Sequence, residues 1–274
     1  MTQLGANRYG KSAIRLVKVV RDGPSHRIRD LTVAIALEGE FASAYVEGDN
    51  RLVVATDTMK NTVYAFAGEH LTGAVEEFAV VLGRRFLESD QVARAIVSID
   101  EHAWSRIGDA PDAFVRDQAS RRTAVVASER DSVSFEAGIA DLTVMKSGKS
   151  AFFGFPRDEF TTLPDTDDRL MATRVNAAWR YAGPTDFDQA HEAIRSTLLE
   201  AFAEHESQSV QHTIWLVGRA IVERHPEVAE VTLTMPNLHH WLADLSPFGL
   251  PNDRSIFIPT TEPHGLIQGT IRRD

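Results

Sequence analysis

Several short strings in this sequence carry residue types that could do chemistry. Ser147-Gly148-Lys149-Ser150 has the ending of a phosphate-cradling loop, in which glycine lets backbone amides approach phosphate and lysine neutralises it. Thr143 stands where that loop needs its first glycine, so the string reads as a turn between strands. His191-Glu192 and His205-Glu206 each begin like a zinc-protease helix, which needs a second histidine one turn on. Arg195 and Ser209 occupy those places. The remaining histidines are scattered, apart from the neighbours His239-His240. No glycine fingerprint follows a strand, so a dinucleotide has no cradle. The chain has no cysteine, which removes disulfides, thiolate metal sites and cysteine nucleophiles together.

The elements that must position any site follow from periodicity. Ile14, Leu16 and Val20 share one parity, and Leu31, Val33, Ile35 and Leu37 alternate strictly, with the turn-rich Arg21 to Ser25 between them. A helix is expected over 58–69, and a second carries the apolar stripe Val75, Phe78, Ala79, Leu82 and Phe86, closed by Asp90. Extended runs follow over 91–104 and 118–135, then over 137–146 and 172–181. Ala190, Ile194, Leu198 and Ala201 mark a third helix, for which Asp186 suits the N-cap. Val210, Ile214, Val217 and Ile221 mark a fourth that stops before Pro226. Runs over 228–235 and 255–259 close the pattern. Each half therefore spells strand, strand, helix, helix, strand, strand. Hairpin strands with two sequential helices imply an α+β layer, an antiparallel four-stranded sheet with both helices on one face. Two such modules are expected, at 8–135 and 136–270. Their open edges favour a closed oligomer.

Composition bounds the partners. The 274 residues are 43% hydrophobic and 25% charged, enough for a substantial core, with a formal net charge of −10. That sign repels nucleic acid and anionic lipid, and no basic run exceeds Arg121-Arg122. Neither nucleic acid nor membrane is an expected partner. There is no signal-peptide stretch, and the final Ile271-Arg272-Arg273-Asp274 is no peroxisomal Ser-Lys-Leu tail, so the cytoplasm is the expected location.

Five separated strings, in order, resemble the urate oxidase (uricase) family. They are Asn7-Arg8-Tyr9-Gly10-Lys11-Ser12, then Val53 through Tyr64, then Phe152 through Leu163 with Asp168-Arg169, then Ser209-Val210-Gln211, and Met235-Pro236-Asn237-Leu238-His239. The match runs from Arg8 to about Gly269. The resemblance implies tandem tunnelling-fold modules in a homotetramer whose active sites lie between subunits. It also implies the reaction, in which urate, dioxygen and water give 5-hydroxyisourate and hydrogen peroxide with no metal or organic cofactor.

By the same resemblance Arg169 and Gln211 hold the urate edge, one with paired N–H donors, the other with an amide that both donates and accepts. Phe152 stacks on the purine, with Leu163 and the Val210 backbone completing the pocket. Oxygen reacts slowly with closed-shell molecules, so the substrate must be made electron-rich by deprotonation. Lys11, Thr56 and His239 match the proton relay, in which an amine kept neutral by burial takes the threonine proton and histidine passes protons onward. Thr56 is expected from the neighbouring subunit. Asn237 and Thr56 hold dioxygen and then water, while Asp57 contributes its backbone N–H. Phe153, where family members often carry tryptophan, is expected in the core with Phe155. The chain is shorter than many members near Tyr181 to Asp186. Two other readings remain at this level: a zinc-dependent pterin-metabolising enzyme of the same fold class, and a non-catalytic oligomer that binds purines.

Overall fold

A computed structural model describes residues 2–260 and 262–274, with backbone only at 117–119. The chain divides into two compact units, Met1–Gly138 with Arg180–His191, and Ile139–Trp179 with Glu192–Asp274.

In the first unit, β1 (Tyr9–Val20), β2 (Arg27–Gly39), β3 (Val92–Arg106) and β4 (Phe114–Glu129) lie side by side in that order, each antiparallel to the next. A short α1 (Ala42–Val46) precedes α2 (Thr56–His70) and α3 (Val75–Leu87). The alternation in β2 is the reason for the layer: Leu31, Val33, Ile35 and Leu37 are all buried, and successive side chains on a strand point to opposite faces. Met59, Val63 and Ala67 form the inward stripe of α2, and Val75, Phe78, Ala79, Leu82 and Phe86 that of α3. Glu76 and Glu77 in the first turn of α3 and Arg84 and Arg85 in its last complement the helix dipole. Glu76 is fully buried at that first turn, and Arg122 on β4 holds it at 2.7 Å.

The order recurs in β5 (Val133–Lys146), β6 (Met171–Tyr181), α4 (Phe187–Glu204), α5 (Val210–Arg224), β7 (Val228–Leu238) and β10 (Gly265–Arg272), with the strands adjacent as β5-β6-β7-β10; residues 133–138 and 180–191 of this stretch belong to the first unit and the rest to the second. Asp186 caps α4 as expected, its carboxylate accepting the Gln189 N–H at 3.1 Å. A two-stranded hairpin, β8 (His240–Leu242) with β9 (Phe257–Pro259), stands apart, with the short 3-10 turn Ser246–Phe248 between its strands. Among the described residues no helix is long and apolar enough to cross a membrane.

Two details show that the halves repeat in three dimensions as well as in order. The first strand of each, β1 and β5, carries a lysine that caps the end of a long helix, α2 and α4 respectively. Lys18 Nζ donates to the carbonyls of Ala67, Gly68 and Leu71 at 2.9–3.0 Å. Lys146 Nζ donates to those of Phe202 and Ala203 at 3.1 Å, and to that of His205. The last carbonyls of a helix have no intrahelical donor, and an ammonium suits their negative end. The ninth residue of each second helix is a glycine pressed on the last strand. A Cβ on Gly83 would meet Ser128 Oγ at 2.6 Å, and one on Gly218 would meet Ile271 Cδ1 at 2.4 Å.

Three expectations require correction. The run expected over 118–135 is two strands, since Glu129 N–H bonds the Ser132 carbonyl and the polar Arg130-Asp131-Ser132 turns the chain from β4 into β5. The run at 255–259 is not the strand beside β7; it pairs with β8, and β10 lies against β7. Only Ile271 of β10 is buried, so an edge strand with almost no apolar stripe left little periodicity to read. Phe153 is not core: it is 59% exposed, and Phe155 is half-buried.

Candidate active site

A cavity of about 340 Å³ in the second unit gathers five of the residues singled out in the sequence: Phe152, Leu163, Arg169, Asn237 and His239. Three chain segments carry these five residues. Phe152 is pinned by a short bridge to Thr166, its N–H donating to the Thr166 carbonyl at 2.8 Å and its carbonyl accepting at 3.0 Å. Arg169 hangs from the next segment, where its N–H donates to the Ser150 carbonyl at 2.7 Å. Asn237 stands near the end of β7, opposite Gly265 of β10. His239 follows in the link to β8, its carbonyl accepting the Thr260 N–H at 2.8 Å.

The electrostatics single out Arg169. Its guanidinium lies 5.2 Å from the Phe152 ring centroid and is buried deeply enough to be held below the ordinary arginine range. Desolvation is the cause. No carboxylate lies within ion-pair distance of it among the described residues, and its Nε is buried without a partner. A buried cation is ordinarily paired, so this one is arranged for an anion. Phe155 stacks on Phe152 with centroids 4.9 Å apart and planes 13° apart, so Phe152 is held between that ring stack and the Arg169 guanidinium at the cavity wall. His239 stacks on Trp241 at 5.5 Å. Burial, then the Arg169 charge, then His264 and His240 hold its imidazole below the usual histidine range, which favours the neutral form, able to accept a proton.

Val210 and Gln211 are not in that cavity lining; they form the first turn of α5. Ser209 caps the helix, its Oγ accepting the His212 N–H at 3.1 Å. The Val210 and Gln211 amides stand in the first turn of α5, where backbone donors lack an intrahelical acceptor.

Lys11, Thr56 and Asp57 belong to the first unit. Lys11 lies on β1 at an irregularity where the pairing with β2 shifts and Ala13 adopts φ 55°. Gly10 before it is obligatory, since a Cβ there would fall 1.8 Å from the Ile35 carbonyl oxygen. Thr56 is half-buried and opens α2. Tyr9 connects the two segments: its hydroxyl accepts the Val54 N–H at 2.7 Å and donates to the Val54 carbonyl at 3.2 Å. Tyr9 and Lys11 are two apart on one strand, so that clasp fixes Lys11 relative to the start of α2. The Asp57 carboxylate is engaged by Lys60 and, at 2.9 Å, by the Asn61 side-chain amide. The Lys60 hydrogen bond and charge hold it below the usual carboxylate range, Asn61 adds to this, and the Lys11 charge contributes least.

The cavity also has residues that sequence reasoning passed over. Arg254 lines it and donates to the Asp168 carbonyl at 3.4 Å, and Trp241, His240 and Phe257 come from the β8–β9 hairpin. Apart from His240, noted as the neighbour of His239, nothing local marked them. Asn252-Asp253-Arg254 reads only as a polar turn, which it is, with Asn252 Oδ1 accepting the Ser255 and Ile256 amides at 3.1 Å. Arg169 and Arg254 give this cavity a local positive character against the overall charge of −10. Among the described residues, no group of three or more histidines and carboxylates is placed to hold a metal ion.

Comparison with known proteins adds a family. The family model described as Uricase matches residues 7–127 and 135–268. The uricase of Arthrobacter globiformis is 46% identical over 273 residues, covering 99% of this chain and 90% of that one. The uricase of Dictyostelium discoideum is 37% identical over 283 residues, covering 100% of this chain and 98% of the other. A crystal structure of the Arthrobacter globiformis uricase superposes with a TM-score of 0.97 over 100% of this chain and 96% of that one, at 46% identity.

Proposed function

The chain belongs to the uricase family, and from that membership we propose that it oxidises urate with dioxygen and water to 5-hydroxyisourate and hydrogen peroxide. The observation that carries this reading to the residues is the unpaired, half-buried Arg169 beside Phe152 in a cavity sized for a small heterocycle. A purine anion supplies what this pair lacks: negative charge with in-plane acceptors for the guanidinium, and a flat face for the ring. Gln211 and the Val210 amide complete the edge recognition, and Leu163 closes the apolar side.

Catalysis then rests on proton movement. Lys11 takes the Thr56 hydroxyl proton, Thr56 takes a proton from the bound substrate, and His239 carries protons to and from the peroxide side. The electron-rich anion that results reduces dioxygen, held by Asn237 and Thr56 above the ring. Water then takes that place and adds to the oxidised ring. The Asp57 backbone N–H completes the contacts to substrate. Thr56 comes from a neighbouring subunit of a homotetramer, and Lys11 comes with it because the Tyr9–Val54 clasp joins their segments.

Purified protein mixed with urate is expected to consume the urate absorbance band and release peroxide in equal amount, at a rate unchanged after exhaustive chelator treatment. No turnover by pure protein in metal-free buffer would falsify the reading. Arg169→Ala is expected to weaken urate binding by roughly 30- to 1000-fold, the ~2–4 kcal/mol of a charge-assisted contact truncated in a desolvated site. The same change removes a positive neighbour from His239, so its affinity for a proton rises and the acid limb of the rate profile moves to higher pH. An Arg169→Ala enzyme with wild-type KM would remove Arg169 from the clamp.

A further inference from the structure

Ser207 occupies a junction in the second unit that none of the roles above uses. Its N–H donates to the Lys149 carbonyl at 2.9 Å, and its own carbonyl accepts the Ala151 N–H at 2.7 Å, a parallel bridge centred on Ser150. The Ser150 carbonyl is the acceptor for the Arg169 N–H, and Phe152 follows Ala151 directly. Two residues after Ser207, Ser209 caps the helix that begins with Val210 and Gln211. Ser207 therefore bonds the segment that leads into Phe152, reaches the Arg169 segment through Ser150, and stands two residues before the helix that carries Gln211.

The side chains around it form a buried relay of hydroxyls. Ser207 Oγ lies 2.8 Å from Thr213 Oγ1 and 3.0 Å from the Ser209 carbonyl. Thr213 Oγ1 lies 2.9 Å from His205 Nε2 and 3.2 Å from the Ser209 carbonyl. His205 Nδ1 faces the Ala201 carbonyl at 2.8 Å, so in the neutral ring Nδ1 carries the proton and Nε2 accepts from the Thr213 hydroxyl. Ser207 and Thr213 are both essentially inaccessible to solvent. Each hydroxyl in the set has more than one partner, and loss of one removes the contact that joins the two segments.

We propose that Thr213 and Ser207 are positioning residues for the substrate clamp. Their paired hydroxyls lock the turn over 205–209 onto the first turn of α5, and that turn holds the Phe152 and Arg169 segments through backbone bonds. The proposal rests on the reading of Arg169, Phe152 and Gln211 as the urate clamp. The backbone bridges survive without the hydroxyls, so their loss loosens the alignment of the clamp and leaves the fold in place. Misalignment on the order of an ångström is enough to cost binding.

Thr213→Val keeps the side-chain shape and removes the hydroxyl. Its KM for urate, and its Kd for a non-reactive purine analogue of urate, are expected to rise about tenfold with kcat within about twofold of wild type. Thr213→Ser, which restores the hydroxyl, is expected to return KM to within about twofold, and Ser207→Ala to raise it by several-fold (about three to five). Ser207→Ala removes the Oγ contacts to Thr213, the Ser209 carbonyl and Met171 Sδ and leaves the backbone bridge to Lys149 and Ala151 intact, so it decides the matter should Thr213→Val not fold. A merely structural role gives a different pattern: lower melting temperature and lower kcat through fewer active molecules, with KM unchanged. That pattern, or wild-type KM in both Thr213→Val and Ser207→Ala, overturns the proposal while the urate reading stands. A wild type that neither binds the analogue nor oxidises urate overturns the urate reading and this role with it.

Discussion

Replacing Lys11 with methionine is expected to lower kcat for urate by about 10²- to 10⁴-fold, the usual worth of a positioned general base, and to leave analogue binding nearly intact. A threonine hydroxyl is a weak acid and a weaker base. It can take a proton from substrate only if its own proton has somewhere to go. Lys11 is the amine that the Tyr9 clasp fixes next to the α2 start, where Thr56 stands. Neither side chain is needed to grip the purine edge, a role the proposed mechanism gives to Arg169 and Gln211. Thr56→Ala is therefore expected to resemble Lys11→Met in kcat, with a modestly higher KM because the hydroxyl also touches substrate. The double variant is expected to be little worse than either single one, because two members of one relay cannot each be lost twice. Steady-state rates with analogue binding in parallel decide the matter. Full activity in Lys11→Met would dissolve the relay.

The elements that could be read in the sequence are those whose burial is one-sided. Leu31, Val33, Ile35 and Leu37 alternate because one face of β2 is sealed by helices, and the α3 stripe is legible for the same reason. β10 was illegible because it sits at an edge with one buried side chain, and α1 because its five residues include no buried one. The site divides along similar lines. Phe152, Arg169, Asn237 and His239 were found through ordered strings, and they do share a cavity. Arg254 and Trp241 reach that cavity because a hairpin folds back on it, a long-range event that leaves no mark on neighbouring residues. Phe153 misled because an aromatic run suggests a core, whereas this run is a surface loop. It is held by Arg157, which lies over Phe155 at 5.0 Å and pairs with Asp165 at 3.1 Å. The hydroxyls of Ser207 and Thr213 had no signal either, since a buried serine and a solvated one look alike until their partners are known.

Chains carrying Lys11→Met and chains carrying Arg169→Ala, each nearly inactive alone, are expected to recover about a quarter of wild-type activity when co-expressed in equal amounts, the share of complete sites under random assembly. Lys11 lies in the first unit and Arg169 in the second. If each working site takes its relay from one subunit and its clamp from another, an Arg169→Ala chain still offers an intact relay and a Lys11→Met chain an intact clamp. A site made of those two parts contains no altered residue. If instead relay and clamp of a site came from the same chain, every site in the mixture would carry one lesion and nothing would be recovered. The size of the recovery matters as much as its presence. Activity restored at wild-type KM identifies complete composite sites, whereas a trace of activity at raised KM belongs to the Arg169→Ala chains alone. A pair with both lesions in one unit, Lys11→Met with Thr56→Ala, supplies the control, for no arrangement of those chains yields an unaltered relay when Lys11 and Thr56 of a site come from one subunit. Recovery in that control would place Lys11 and Thr56 of a single site on different subunits, which the clasp between Tyr9 and Val54 argues against.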